Sequence, residues 1–319
     1  MFTCVSRPRD APSPAWSRTF DGFTWPSPSS DAERGRPMRR MISGGLIAAA
    51  LLLAAGPATA QDLVRLQQDP NQWVLPAKNY AGTRYSELNQ ITTQNVSNLK
   101  VAWTFSTGTL NGLEGSPLVV NNTMYFVTSF PNIVYALDLT KPGAPIKWMY
   151  KPNQDPTVQG VACCDVVNRG VAYADGKIVF NQLDATTVAL DAQTGQVIWQ
   201  VKQGDPKRGE TITGAPLIVR NVVITGISGG EFGVRGFVTG NDLATGRQLW
   251  RVYSTGPDSE VGIGPNFKPF YDDHKGKDLG VTTWNGDQWQ RGGGTTWGWF
   301  TYDPELNLFY YGTGNPGTW

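Results

Sequence analysis

Histidine is almost missing from this chain: of 319 residues, His274 is the one example. Sites assembled from several imidazoles, as zinc and copper sites commonly are, are therefore disfavoured. Charge is also sparse, at 17% of residues. Taking the seven basic and four acidic residues of the first 60 from totals of 27 and 26 leaves 20 against 22, so no basic field is available for nucleic acid. No apolar run reaches the ~20 residues needed to span a bilayer. The longest candidate, ending at Ala55, is about a dozen residues. Cysteine is limited to Cys4, Cys163 and Cys164, the last two adjacent. What is plentiful is glycine, at 37, and tryptophan, at 12, a balance that suits an all-β architecture with many tight turns.

The chain divides into three stretches. Residues 1–37 are rich in Pro, Ser and Arg without apolar periodicity, and are expected to be non-native or a disordered leader. Residues 38–60 read as a secretory signal of the Sec type: Arg39 and Arg40, then the apolar run, then Ala58-Thr59-Ala60, with cleavage expected after Ala60. The mature chain is then 61–319, exported and without a retained membrane span.

Repeats organise that mature part. "ALDAQTGQVIW" ends at Trp199 and recurs as "GNDLATGRQLW" ending at Trp250, a period of 51 residues. Trp148 lies another 51 upstream, closing a copy two residues longer, "ALDLTKPGAPIKW". A Thr-Gly dipeptide between short apolar runs supplies the positive-φ residue of a tight hairpin. Ahead of each hairpin stands another strand pair: "SPLVVNNTMYFVTS", "GVAYADGKIVFNQ", "APLIVRNVVITGIS" and finally "GWFTYDPELNLFYYGTGN". Four antiparallel strands in about fifty residues make a propeller blade, which must stack on a neighbour to bury its second face. Trp103, Trp148, Trp199 and Trp250 are the expected wedges between blades. Residues 100–319 hold four such units or slightly more, and a ring cut there would leave raw sheet edges. A truncated chain is expected.

Individual polar residues carry little alone. Adjacent Cys163 and Cys164 either remain reduced or close a strained eight-membered ring, because neighbouring Cα atoms are ~3.8 Å apart while bridged pairs usually sit at 4.4–6.8 Å. Export favours oxidation. Glu231 stands between "ISGG" and "FGVRG" and reads equally as a solvated carboxylate; Asn315 before Pro316 suits a turn.

Longer strings say more. "WVLPAKNYAGTRYSELNQI", "DPTVQGVACCDVVNRGVAYADGKI", "GISGGEFGVRG" and "GGGTTWGWFTYDPELNLFYYGTGNPGTW", set among the Trp-ended repeats, resemble the quinoprotein alcohol dehydrogenases across nearly all of residues 61–319. Within that family they are most similar to methanol dehydrogenase large subunits, particularly the lanthanide-dependent type.

The resemblance implies an eight-bladed β-propeller with four-stranded Trp-motif blades, about half of it present here. It implies pyrroloquinoline quinone as cofactor, with a Cys163–Cys164 disulfide as one flat wall and Trp297 beneath the other face. Arg169 matches the arginine that contacts a cofactor carboxylate, where bidentate guanidinium pairing is apt. Glu114, Thr213, Ser228, Gly229, Gly230 and Thr295 match further cofactor positions. Glu231 and Asn315, 84 residues apart and so on different blades, match ligands of one calcium or lanthanide ion; oxygen donors suit such hard cations. The catalytic aspartate of the family would lie beyond Trp319, as would the second aspartate that separates lanthanide from calcium enzymes, so this chain alone is expected not to turn over. The implied activity is oxidation of methanol or another primary alcohol to the aldehyde in the periplasm, with cytochrome c as electron acceptor; a homodimer is among the assemblies the resemblance allows. Two other readings remain: a quinoprotein acting on larger alcohols or sugars, and a non-catalytic Trp-repeat scaffold of the outer-membrane assembly type.

Overall fold

The computed structural model describes residues 63–163, 165–265, 267 and 275–317. The expected leader and signal, Cys164 and His274 lie outside the described residues. Three antiparallel meanders of four strands follow one another. The first joins β1 (Leu118–Val120), β2 (Thr123–Val127), β3 (Val134–Asp138) and β4 (Ile146–Tyr150). The second joins β5 (Ala172–Ala174), β6 (Lys177–Asn181), β7 (Thr186–Asp191) and β8 (Val197–Lys202). The third joins β9 (Leu217–Val219), β10 (Val222–Gly226), β11 (Phe237–Asp242) and β12 (Gln248–Tyr253). A pair, β13 (Thr301–Asp303) with β14 (Leu308–Tyr310), opens a fourth unit. Each strand pair expected from the sequence is present, and the fold is all-β with propeller blades as its unit.

Local chemistry explains the hairpins. Asn121 and Asn122 join β1 to β2 with φ of 49° and 59°, and Asp175 and Gly176 join β5 to β6 with 48° and 69°, the left-handed pairs that match strand twist. Between β7 and β8, Asp191 Oδ1 accepts from the backbone N–H of Gln193 and Thr194 and from the Thr194 hydroxyl, and Gly195 follows at φ 73°. Asp242, Ala244, Thr245 and Gly246 repeat the arrangement in the third sheet.

The 51-residue period has a physical basis in one contact. The Trp148 indole N–H donates to the Ala192 carbonyl at 3.0 Å, and Trp199 donates to that of Leu243 at 2.9 Å. In both cases the ring covers the turn glycine of the next sheet, and a Cβ on Gly195 or Gly246 would come within 2.7 Å of it. Across the strand, each tryptophan faces a small residue: Ala136, Ala189 and, for Trp250, Gly240. Trp250 stacks on Phe309 of the fourth unit at 6.2 Å. Removing such a ring costs about 3–5 kcal/mol. Trp103 differs from its companions. It lies outside any strand and packs on Ile133, Tyr135, Leu137 and Ala144 of the first sheet.

One further segment ties the sheets together. Trp73 bridges to Val119 of β1, the Tyr80 hydroxyl donates to Ile218 O of β9 at 2.7 Å, and Tyr302 N of β13 donates to Tyr80 O at 2.9 Å. The eight residues from Trp73 to Tyr80 thus touch strands of three sheets. Among the described residues, no helix is long and apolar enough to cross a membrane.

Candidate functional site

Loops from separate sheets are laced to one another by backbone contacts. Ser116, ahead of β1, bridges to Gly170 ahead of β5; Arg169 N donates to Thr213 O at 3.1 Å; Thr296 N donates to Ile227 O at 2.8 Å. Gly314 N then reaches Thr295 O at 2.7 Å, and Gly294 N reaches Asn315 O at 2.9 Å. Close approach here depends on absent side chains. A Cβ on Gly115 would stand 3.2 Å from Asn168 O, and one on Gly214 would stand 3.1 Å from Trp297 O.

Arg169 is the centre of this lattice. Its guanidinium pairs with Glu114 Oε2 at 3.0 Å, donates to Thr213 Oγ1 at 2.9 Å and stacks over Trp297 with Cζ 5.0 Å from the ring centre. The side chain is 13% exposed while that of Glu114 is 45% exposed, so the cation is the buried partner. Burial lowers the Arg169 pKa and Glu114 works in the opposite direction; a guanidinium remains charged regardless. Trp297 is 42% exposed and presents a broad aromatic face.

Beyond Thr213 the polar line continues. Thr213 Oγ1 shares a hydrogen bond with Ser228 Oγ at 3.2 Å, and both residues are buried. Gly229, at φ 103°, starts the short 3-10 turn Gly230–Phe232 that carries Glu231. A Cβ on Gly229 would meet Gly209 O at 2.0 Å, so only glycine fits. Thr295, 1% exposed, has a buried hydroxyl without a hydrogen-bond partner among the described residues. Cβ atoms on Gly230 and on Gly314 would each stand 3.0 Å from that hydroxyl oxygen. Thr295 therefore sits between the loop of Glu231 and the loop of Asn315. The Asn315 amide N–H donates to Gly317 O, and this leaves its Oδ1 available as an acceptor.

Of the residues expected from the sequence, Glu114, Arg169, Thr213, Ser228, Gly229, Gly230, Thr295 and Trp297 form one connected set, with Glu231 and Asn315 at its two flanking loops. Cys163 is half-buried; its expected pairing with Cys164 lies outside the described residues. Among the described residues, no three of His, Cys, Asp and Glu gather into a metal-binding cluster.

The family model described as PQQ, "Glucose/ethanol/alcohol dehydrogenase, beta-propeller domain", matches residues 73–318. The chain belongs to this family. As a member, it is 56% identical over 275 residues to "Lanthanide-dependent methanol dehydrogenase" of Methylacidiphilum fumariolicum (strain SolV), covering 86% of this chain and 45% of that protein. It is 50% identical over 295 residues to "Methanol dehydrogenase (cytochrome c) subunit 1" of Methylobacterium organophilum, covering 88% and 47%. Among solved structures it is similar to "Europium-containing methanol dehydrogenase", with TM-score 0.78, 57% identity and coverage of 81% and 45%. This PQQ-family chain spans a little under half the length of the curated relatives it matches.

Some contacts in this candidate site of the PQQ-family chain involve residues that sequence reasoning passed over. Trp299 donates its indole N–H to Arg169 O at 3.2 Å, and Arg84 stacks on the same indole with Cζ 5.0 Å from the ring centre. Asn168 is 1% exposed and bonds to Asn181 O and Gly170 N, fixing the backbone beside Arg169. The signal for Trp299 was its place two residues after Trp297 in "TTWGW". Nothing in the sequence pointed to Arg84.

Proposed function

We propose that this chain binds pyrroloquinoline quinone against Trp297 together with a calcium or lanthanide ion at Glu231 and Asn315. The protein to which it belongs would then oxidise methanol or another primary alcohol to the aldehyde in the periplasm and pass electrons to cytochrome c. The observation that carries this reading is Arg169, a mostly buried guanidinium lying over an exposed indole face. That pairing of an exposed flat apolar ring with a fixed cation against it matches a planar polycarboxylate. The names of the relatives, methanol dehydrogenases that are lanthanide-dependent or cytochrome c-linked, support the same substrate and acceptor.

The residues present fit such a ligand pair. Thr295 carries a buried hydroxyl with no hydrogen-bond partner among the described residues, closely flanked by Gly230 and Gly314. A carboxylate at Glu231 and an amide oxygen at Asn315 are hard donors, and the six to eight oxygens usual for calcium would be completed by other groups. When bound, the quinone supplies a two-electron acceptor, polarised by a metal ion acting as a Lewis acid. Arg169 would hold one cofactor carboxylate, with its own position set by Glu114 and Thr213. Ser228 and Thr213 would donate hydroxyl hydrogen bonds along the rim. Trp297 would fix the ring plane and shield one face from water. Glu231 would bring negative charge to the cation, and its attachment to a glycine-bounded turn holds it near Thr295.

A docking scaffold has no need for Glu114, Arg169, Thr213, Ser228 and Trp297 to be linked into one polar set beside an exposed indole. The test is equilibrium titration of the chain with pyrroloquinoline quinone, followed by tryptophan fluorescence, with and without calcium or lanthanum. Metal-dependent quenching that is lost in Glu231→Gln supports the reading. Equal binding with and without metal, or none in either case, sinks it.

A further inference from the structure

We infer that Trp299 is a positioning residue for Arg169: its indole N–H fixes the arginine backbone, and its ring, braced by Arg84, fixes where the guanidinium lies. This rests on the reading of Arg169 as the arginine that meets the cofactor. The Arg169 backbone is held at both ends, its N–H donating to Thr213 O at 3.1 Å and its carbonyl accepting from Trp299 Nε1 at 3.2 Å. The Arg169 Cζ is also 6.0 Å from the Trp299 ring centre, beside the closer stack on Trp297 at 5.0 Å. Two indoles separated by Gly298 thus share one cation.

Packing alone does not hold Trp299 in place. The residue is 36% exposed and lines a cavity of about 190 Å³ together with Leu75, Pro76, Asn79 and Arg84, so the ring has room to turn. What restrains it is polar: the hydrogen bond to Arg169 O and the Arg84 guanidinium on its face. Arg84 is itself anchored by its backbone N–H to Ala77 O at 3.1 Å, and Ala77 belongs to the segment that touches three sheets. An aromatic side chain without the N–H would keep the ring but release the arginine carbonyl.

The experiment compares the wild-type chain with Trp299→Phe and with a benzothienylalanine substitution at the same position, which keeps the ring shape and removes only the N–H. Two readouts are taken. One is pyrroloquinoline quinone affinity, by fluorescence titration in the presence of calcium. The other is the Arg169 Nε–H resonance of cofactor-free protein, assigned by its loss in Arg169→Lys. Loss of one hydrogen bond should weaken affinity about five-fold and shift or broaden that resonance. In an Arg169→Lys background, Trp299→Phe should add no further loss, because the residue acts through the arginine. Unchanged affinity, an unaltered Arg169 resonance, or an equal loss in the Arg169→Lys background would each overturn the inference. If Trp299→Phe does not fold, the benzothienylalanine protein decides. Should wild-type protein fail to bind the quinone, the cofactor reading falls, and the Arg169 resonance alone judges the positioning role.

Discussion

A Cβ on Gly230 would stand 3.0 Å from the hydroxyl oxygen of Thr295, which is buried and makes no hydrogen bond among the described residues. A buried polar group left unpaired costs about 1–3 kcal/mol, a cost that a ligand accepting or donating at that oxygen would remove. Thr295→Val keeps the shape and deletes the hydroxyl. Cofactor-free Thr295→Val should therefore be more stable than wild type by about 1 kcal/mol in urea unfolding, while binding pyrroloquinoline quinone or metal more weakly. Lower stability with unchanged affinity would show that the hydroxyl serves the fold.

Arg169 reaches Glu114 and Thr213 with different nitrogens of its planar fork. Lysine offers a single point charge and cannot span both while facing a ligand. Arg169→Lys should lower quinone affinity by about ten-fold or more, the scale of one lost charged hydrogen bond, with the melting temperature nearly unchanged. Fluorescence titration beside a thermal scan separates the two effects. A ten-fold loss accompanied by collapse of the fold would make Arg169 structural.

The blades were legible because their determinants are local and repeat. Asp, Thr and Gly at fixed offsets make the turn at Asp191 and again at Asp242, and the glycine of each turn is covered by the tryptophan of the preceding sheet, Trp148 and Trp199. The site is another matter. Its contacts join Arg169 to Trp297 across 128 residues and to Trp299 across 130, distances over which spacing carries no information. The residues proposed to meet the cofactor could be named only through the long strings around them. Trp299 and Arg84 stayed unseen because their importance lies in what they face. Trp103 broke the period, standing 45 residues before Trp148 and outside any strand.

Gly195 and Gly246 should be intolerant of alanine. Each adopts a positive φ, and each would place a Cβ within 2.7 Å of the ring of the preceding blade's tryptophan. Left-handed backbone strain and overpacking together make Gly195→Ala cost about 2–4 kcal/mol. The same change at Gly176, equally left-handed at φ 69° but with open space around it, carries the strain alone and should cost about 1 kcal/mol. Urea unfolding of the two variants gives the ratio; equal losses would remove the blade-to-blade contact from the account of stability.

Acid should loosen the hairpins through their aspartates. The Asp138 carboxyl is held down at about 2, chiefly by the Thr140 hydroxyl, then by the Thr140 backbone N–H, with Lys141 assisting. Asp191 is also lowered: burial pushes upward, but hydrogen bonds from Thr194 and Gln193 outweigh it. A carboxyl whose folded pKa lies below its unfolded value stabilises the fold above the unfolded pKa, and that contribution disappears as pH falls through the folded one. For Asp138 the window runs from about pH 4 down to about 2. Asp138→Ala should thus melt below wild type by a constant margin above pH 5, and the margin should narrow between pH 4 and pH 2. A margin that stays constant across that range would mean that the charge of Asp138 does not support the turn.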